Sequence, residues 1–268
     1  MVAHRALAPS KPTVPHVSGA AVPDPEAGDH QRFERAFRER ELGFRGDARV
    51  RYERAVEREA VVYRLQRAAP RGAAVLDAGC GLGAVTRALL RAGFRVIALD
   101  FALARLRALQ AAAGPVAALA LAQADVTRLP LAPASFDAVV CTQVLEHIPA
   151  AAARRAVLAS FCRLLRPGGT LLLTVYNFSE PWRRRGQPAE GLHDTGVFYH
   201  CYTASELERE LAGLDILELC GLIHLLPRTS RLFPRLGPLA RTIDHGLERP
   251  TPLSLRWGNL LLAYARRS

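Results

Sequence analysis

The chain has 268 residues, with 36 Lys or Arg against 25 Asp or Glu, so its formal net charge is +11. Half of the residues are hydrophobic and 23% are charged, which excludes an intrinsically disordered protein because this composition can fill a core. Five cysteines over this length exclude a small disulfide-stabilised scaffold, and no apolar run reaches the roughly 18 residues of a membrane-spanning helix.

The first 69 residues are predicted to form an arm followed by a helical lid. Residues 1–30 are rich in Pro, Ala and Gly and lack periodicity, so we expect a flexible arm. Their prolines interrupt any apolar run long enough for a secretory signal peptide, and we therefore expect a cytoplasmic protein. Residues 31–69 are rich in charge with apolar residues at helical spacing, which predicts two amphipathic helices with a break around 43–47.

From residue 70 to residue 268, short apolar runs alternate with helical stretches. This alternation predicts an α/β domain, a doubly wound and mainly parallel seven-stranded sheet with helices on both faces. Ligands of such sheets bind beyond the carboxyl ends of the strands, where the strand order reverses. The predicted strands are 73–76, 95–99, one within 116–124, 136–141, 170–176, 216–225 and 260–265, and the predicted helices are 84–92, 101–113, 150–165, 203–212 and an insertion at 226–256.

Acidic residues are scarce in this domain and lie where strands end. Residues 70–179 contain five acids against eleven Arg. Asp77, Asp100 and Asp125 each follow a predicted strand directly, and Glu146 follows another shortly after its end. Because the carboxyl ends of parallel strands share one edge of the sheet, these acids predict a site for a ligand rich in hydroxyl, amine and amide donors.

A glycine cluster follows the first strand, in the sequence Asp77-Ala78-Gly79-Cys80-Gly81-Leu82-Gly83. Glycines there allow a tight turn and close approach of a ligand to the backbone. The spacing Gly79-x-Gly81-x-x-Ala84 also matches the dinucleotide-binding fingerprint. Asp77, two residues before the first glycine, would repel a diphosphate, and this favours a ligand with a cationic end.

Together these motifs resemble class I S-adenosylmethionine-dependent methyltransferases, specifically the methyltransferase type 11-like group that acts on small molecules, over about residues 70–220. The resemblance implies a Rossmann-like fold with an antiparallel last strand, S-adenosylmethionine as cofactor, and methyl transfer to a small-molecule acceptor, a lipophilic one included. It implies that Asp77 favours the cationic end of the cofactor, Asp100 binds its ribose and Asp125 meets its adenine. The full cofactor-binding set implied is Asp77, Ala78, Gly79, Cys80, Gly81, Gly83, Asp100, Phe101, Asp125, Val126, Cys141 and Gln143.

Two histidines are candidate catalytic residues. The segment 142–148 resembles the family's Glu-His segment, and His147 is either a general base or a structural residue that braces the loop. His200 lies in the polar, aromatic segment 179–202, where it either contacts the acceptor together with Tyr199 or belongs to a solvated loop.

No metal is expected. Some quinone-biosynthesis relatives hold a divalent metal with acids around the Glu-His pair, and two of those positions here are Gln143 and Ala150. His193, His200 and Cys201 lack the second close pair that a zinc site needs.

We make one prediction for each of the two flanking helical segments. In the lid, Tyr52 and Arg54 would reach the methionine carboxylate of the cofactor. In the insertion at 226–256, leucines interleave with arginines, which predicts an amphipathic helix pair that caps a lipophilic acceptor or contacts an anionic membrane.

Two other functions stay open at this point. The net charge of +11 is compatible with an RNA or other nucleic-acid methyltransferase, although no base-flipping tetrapeptide follows the fourth strand and nucleic acid is not the expected partner. The glycine motif alone is compatible with an NAD(P)-dependent oxidoreductase, but that alternative assigns no ligand-binding role to Asp125. The sequence does not predict an oligomeric state.

Overall fold

The computed structural model describes residues 27–41, 48–224 and 233–268. Nine α-helices and nine β-strands lie within these ranges. The helices are α1 (Ala27–Arg40), α2 (Ala48–Ala68), α3 (Ala84–Arg91), α4 (Leu103–Ala113), α5 (Ala151–Leu164), α6 (Glu180–Arg183), α7 (Ala204–Glu210), α8 (Phe233–Leu247) and α9 (Pro252–Trp257). The strands are β1 (Ala74–Ala78), β2 (Arg95–Asp100), β3 (Leu119–Gln123), β4 (Phe136–Thr142), β5 (Leu165–Tyr176), β6 (Glu190–Leu192), β7 (Phe198–His200), β8 (Asp215–Leu222) and β9 (Leu260–Arg266).

Seven of the strands form one sheet in the order β3-β2-β1-β4-β5-β9-β8. Neighbouring strands from β3 to β5 pair in parallel, whereas β9 runs antiparallel to both β5 and β8. The strand order reverses between β1 and β4, which places the ligand crevice at the carboxyl ends of these strands. The predicted fold, a doubly wound and mainly parallel seven-stranded sheet with an antiparallel last strand, is confirmed.

The sheet is covered on both faces by apolar packing. Val75 and Val140 point into the core beneath α2, α3 and α4, whereas their neighbours Leu76 and Val139 point into the core beneath α5 and α7. All four side chains are fully buried. Burial on both faces explains why the central strands are continuous apolar runs and not alternating ones.

The N-terminal region contains the two predicted helices, α1 and α2. α1 begins at Ala27, inside the segment predicted as a flexible arm, so that prediction is wrong for residues 27–30. Residues 1–26 and the predicted break at 43–47 lie outside the described residues.

Two elements of the second half differ from the prediction. β5 begins at Leu165 and not after the glycines, because Leu165 already pairs with Phe136 and an irregularity in the β4–β5 register absorbs the Pro-Gly-Gly turn. The segment expected to be a loop forms a short hairpin of β6 and β7, closed by a turn in which His193 and Gly196 make backbone hydrogen bonds.

The described part of the insertion before the last strand, residues 233–256, contains α8 and α9. Across the ranges that the structure describes, no helix combines the length and the apolar character needed to span a bilayer.

Candidate active site

A cavity of about 760 Å³ opens at the carboxyl edge of the parallel strands. Its floor comes from the loops after β1, β2, β3 and β4, and its walls come from α1, α2 and the turn of the β6–β7 hairpin. The structure brings nine of the predicted site residues to this cavity. They are Gly79, Cys80, Gly81, Asp100, Phe101, Asp125, Val126, Gln143 and His147.

The glycine loop forms the part of the floor next to β2. The amides of Gly79 and Cys80 both donate to the carbonyl of Leu99, at 2.7 and 2.9 Å. Gly79 has a φ of +79°, and a Cβ added there would lie 2.3 Å from a methyl carbon of Val144. Only glycine fits this position, because both the backbone conformation and the space exclude a side chain.

Asp100 lies at the end of β2 with its carboxylate in the cavity wall. Oδ2 accepts the amide of Gly81 and Oδ1 accepts the amide of Ala102, both at 2.9 Å. Burial raises the pKa of this carboxyl, although the two amide bonds oppose the shift. A carboxylate has about four acceptor sites, so Asp100 can accept one further donor on each oxygen.

Asp125 begins the loop after β3 and also reaches the cavity. Its Oδ1 accepts the backbone amide and the hydroxyl of Thr127, at 2.8 and 2.7 Å. These bonds hold the loop so that Val126 presents an apolar side chain beside the carboxylate. The pairing of an acceptor with an apolar surface suits a flat, nitrogen-rich ring.

Asp77 is placed differently from the expectation. Its side chain is fully buried and does not line the cavity, and its Oδ2 accepts the hydroxyl of Thr86. Oδ1 has no hydrogen-bond partner among the residues that the structure describes. Burial and the nearby Asp100 raise the pKa of Asp77 to about 6. In this arrangement the Asp77 side chain does not reach the cavity, and one of its buried acceptor atoms is left without a donor among the described residues.

Three other predicted ligand residues also lie away from the cavity. Ala78 and Cys141 are buried in the sheet core. Gly83 precedes α3 with a φ of +74°, and a Cβ there would lie 2.1 Å from Leu109, so this glycine is required for packing against α4.

A buried glutamate on α2, which the sequence did not single out, connects the lid to the sheet. Glu57 accepts a hydrogen bond from the Gln143 side chain at 2.7 Å and another from the Thr174 hydroxyl. Its burial raises its pKa. The contact fixes Gln143, which has a positive φ of 51°, in the cavity wall. A glutamate inside a helix of a charged segment carries no local signal of this role.

His147 sits in a short 3₁₀ turn after β4 and lines the cavity. Its Nδ1 lies 2.8 Å from the carbonyl oxygen of Phe198, which can only accept, so Nδ1 carries the proton. Burial, and secondarily the charge of Arg38, lowers the pKa of His147 to about 3. The ring is therefore neutral near pH 7, and Nε2 keeps a lone pair.

Aromatic rings surround His147. Tyr176 contacts it edge-on at 5.8 Å between ring centres, and His193 lies 6.2 Å away. Both residues line the cavity. His193 comes from the hairpin turn, so this wall of the cavity depends on a segment that was expected to be a loop.

The predicted acceptor contacts Tyr199 and His200 do not line the cavity. Tyr199 packs against His193 and Trp182, at 4.8 and 5.8 Å between ring centres. His200 lies between two carboxylates, with Nε2 2.8 Å from Glu206 and Nδ1 3.3 Å from Glu190. The expectation for His200 as a catalytic residue is not met by this geometry.

The predicted role of Tyr52 is also wrong, whereas Arg54 does line the cavity. The Tyr52 hydroxyl donates to buried Asp244 of α8 and thereby joins the lid to the C-terminal insertion. No described residue of 226–256 lines the cavity, so the predicted cap over the acceptor is not found in the described part of that segment.

The charged groups of the cavity are mainly acidic. Seven carboxyl groups line it against three guanidinium groups, which favours a cationic ligand over a diphosphate. Burial raises the pKa of Glu34 to about 7 despite its contact with Arg38. The acids are Glu34, Glu41, Glu53, Glu57, Asp100, Asp125 and Asp194, and the cations are Arg38, Arg54 and Arg105.

Residues 76–173 match the family described as "Methyltransferase domain". The chain is 38% identical over 126 residues to the ubiquinone biosynthesis O-methyltransferase of Xanthomonas campestris, covering 43% of this chain and 48% of that protein. It is 39% identical over 111 residues to the enzyme of the same name from Xylella fastidiosa, covering 40% and 43%. The chain thus spans about half the length of the curated relatives it matches.

Two solved structures share the fold over most of the chain. One is a Burkholderia thailandensis 1,6-didemethyltoxoflavin-N1-methyltransferase with bound 1,6-didemethyltoxoflavin and S-adenosylhomocysteine, with a TM-score of 0.61, 20% identity and coverage of 95% and 94%. The other is the N-methyltransferase NodS of Bradyrhizobium japonicum in complex with S-adenosylhomocysteine, with a TM-score of 0.57, 18% identity and coverage of 89% and 97%. At these identities the likeness establishes the fold.

Proposed function

We propose that this chain transfers a methyl group from S-adenosylmethionine to a small-molecule acceptor, since residues 76–173 match the family described as "Methyltransferase domain". The observation that carries the proposal is the cavity itself, where Asp100 and Asp125 lie beside the glycine loop at the carboxyl edge of the sheet. The relatives named as O-methyltransferases and the fold neighbours named as N-methyltransferases support the reaction class.

The residues present fit this cofactor. Asp100 has one free acceptor site on each carboxylate oxygen, which suits the two hydroxyls of a ribose. Asp77 Oδ1 is buried with no donor among the described residues, and a cationic group nearby would lower the cost of its charge. The acidic lining disfavours the diphosphate that an NAD(P)-dependent oxidoreductase must bind.

In the proposed mechanism, Asp100 would hold the ribose, and Asp125 with Val126 would hold the adenine. The cofactor would supply a methyl group on a positively charged sulfur. The chain then contributes mainly alignment, which can lower the barrier by about 7–11 kcal/mol. Nε2 of His147 has a lone pair that can accept a hydrogen bond from a hydroxyl acceptor, although a pKa of about 3 makes the ring a weak base.

Ligand-dependent thermal unfolding tests the proposal. S-adenosylhomocysteine at 100 times its dissociation constant should stabilise the full chain by about 2.7 kcal/mol, and NADH should not. Stabilisation by NADH alone would instead support the oxidoreductase. Label transfer from methyl-labelled S-adenosylmethionine into a metabolite extract would then identify the acceptor, and labelling of RNA would favour the nucleic-acid alternative.

We also propose that the C-terminal insertion contacts an anionic membrane surface. Leu239, Ile243 and Leu253 are 59%, 45% and 59% exposed. Within the described part of the insertion, Arg249 and Arg256 are exposed, whereas its two acids, Asp244 and Glu248, are buried. A cytoplasmic location stays a prediction, supported by five cysteines that form no disulfide.

A further inference from the structure

Phe198 of β7 is held from two sides by histidines. Its backbone amide donates to Nε2 of His30 on α1 at 3.2 Å. Its carbonyl accepts from Nδ1 of His147 at 2.8 Å. The ring of His30 also meets the ring of Phe198 edge-on, with 6.0 Å between centres. His30 of the N-terminal helix is thus connected to the candidate base, His147, through the backbone of a single residue, Phe198.

A second contact shows that α1 and the hairpin turn are closely fitted. Phe33 lies over Gly196, where an added Cβ would be 2.9 Å from the phenyl ring. His30 itself is buried, and burial lowers its pKa. A neutral imidazole has one nitrogen with a lone pair, and here that nitrogen must be Nε2 because a backbone amide donates to it.

We propose that His30 is a positioning residue for His147, which acts by holding Phe198 in place. The fixed carbonyl of Phe198 selects the tautomer of His147 with the proton on Nδ1, and this leaves Nε2 able to accept a proton. The proposal that His30 orients His147 does not depend on which reaction the chain catalyses. The use of Nε2 as a base rests on the proposed function.

Nitrogen-15 NMR of the full-length chain tests the proposal without any substrate. His147 should be in the Nδ1–H tautomer in the wild type. His30→Phe keeps a ring against Phe198 but removes the acceptor, and it should give a mixture of tautomers at His147. His30→Gln keeps an acceptor on the side chain and should restore the wild-type tautomer. Melting temperatures of the three chains serve as the control for folding.

The tautomer of His147 tests positioning by His30, and kcat tests whether His147 takes part in proton transfer. An unchanged tautomer of His147 in folded His30→Phe would overturn the proposal, as would a shift that His30→Gln fails to reverse. With the acceptor known, kcat of His30→Phe should fall on the order of 10-fold while KM for the methyl donor is unchanged. A shifted tautomer with an unchanged kcat would support His30 as a positioning residue and remove His147 from proton transfer.

Discussion

Asp100 has a backbone donor on each carboxylate oxygen and still faces the cavity, so its charge is available to a ligand. Asp100→Asn keeps the shape but removes the charge and one acceptor. We expect the dissociation constant for S-adenosylhomocysteine to rise by about 30-fold, or roughly 2 kcal/mol, in a calorimetric titration.

Asp137→Asn is the matched control for that measurement. Asp137 lies near the start of β4, at the opposite edge of the sheet, and accepts the amide of Ala74 at 2.7 Å. Its substitution should leave the affinity within twofold of the wild type. Equal affinities of Asp100→Asn and the wild type would remove Asp100 from the ligand site.

Asp77 makes the stability of the ligand-free chain depend on pH. Its pKa is raised from 3.8 to about 6 by burial, so its stabilising contribution is present below pH 3.8 and is lost as the pH rises through 6. A shift of this size corresponds to about 3 kcal/mol. Asp77→Asn removes the buried charge, so the variant does not lose stability as the pH rises. The free energy of unfolding of the variant minus that of the wild type should therefore increase by about this amount from pH 4 to pH 8.

Urea unfolding at the two pH values checks this expectation. Glu208→Gln, which changes an exposed acid on α7, is the control and should show no such increase. The same Asp77→Asn variant should bind S-adenosylhomocysteine more weakly. A stability difference that is equal at both pH values would show that Asp77 does not titrate with a raised pKa.

At the scale of elements, α1 is attached to the sheet domain through a helix end. The carboxylate of Glu39 accepts the amides of Leu103 and Ala104 at 2.7 and 2.8 Å, which are free donors at the start of α4. Ala102, the residue before α4, has no side chain that can do this. A residue 64 positions away thus replaces the local cap.

Glu39→Ala should cost about 1 kcal/mol of stability, the usual cost of losing a helix cap. The same change should weaken binding of S-adenosylhomocysteine, because α1 supplies one wall of the cavity. Chemical denaturation and calorimetry measure the two effects, and Glu208→Ala provides the surface control. If Glu39→Ala has the stability and affinity of the wild type, α1 is held by its other contacts, among them the hydrogen bond from Arg105 Nε to the backbone carbonyl of Arg38 at 3.2 Å.

At the scale of the whole molecule, the cavity and the exposed apolar residues of the insertion lie on different sides of α2. Val50, Arg54 and Glu57 of α2 line the cavity. Tyr52 and Glu59 of the same helix instead contact α8 through Asp244 and Arg241. Membrane contact through α8 would therefore not block the cavity.

Leu239→Ser with Ile243→Ser should reduce binding to vesicles containing phosphatidylglycerol by at least tenfold, since each buried apolar side chain contributes about 1.5–3 kcal/mol. Binding should also fall with added salt because the exposed arginines contribute through charge. Sedimentation with vesicles measures both effects, and neutral phosphatidylcholine vesicles are the control. Equal binding of the variant and the wild type, or none by either chain, would contradict the membrane proposal.

The sequence by itself determined the alternation of strands and helices and the positions of the acids at strand ends. β1, β2 and β4 were predictable because apolar periodicity and glycine turns are local properties. The presence of Asp100, Asp125 and the loop of Gly79 at the cavity was also predictable, because a residue that follows a parallel strand must lie at that edge of the sheet.

Only the tertiary structure decided which more distant groups complete the cavity. Glu57, Arg38 and His193 enter it from α2, α1 and the hairpin turn, whereas Asp77 and His200 are directed elsewhere. These outcomes depend on how helices and a hairpin pack against the sheet across tens to hundreds of residues of sequence. Contacts at that range come from side-chain fit in three dimensions, and the spacing of residues along the chain does not encode them.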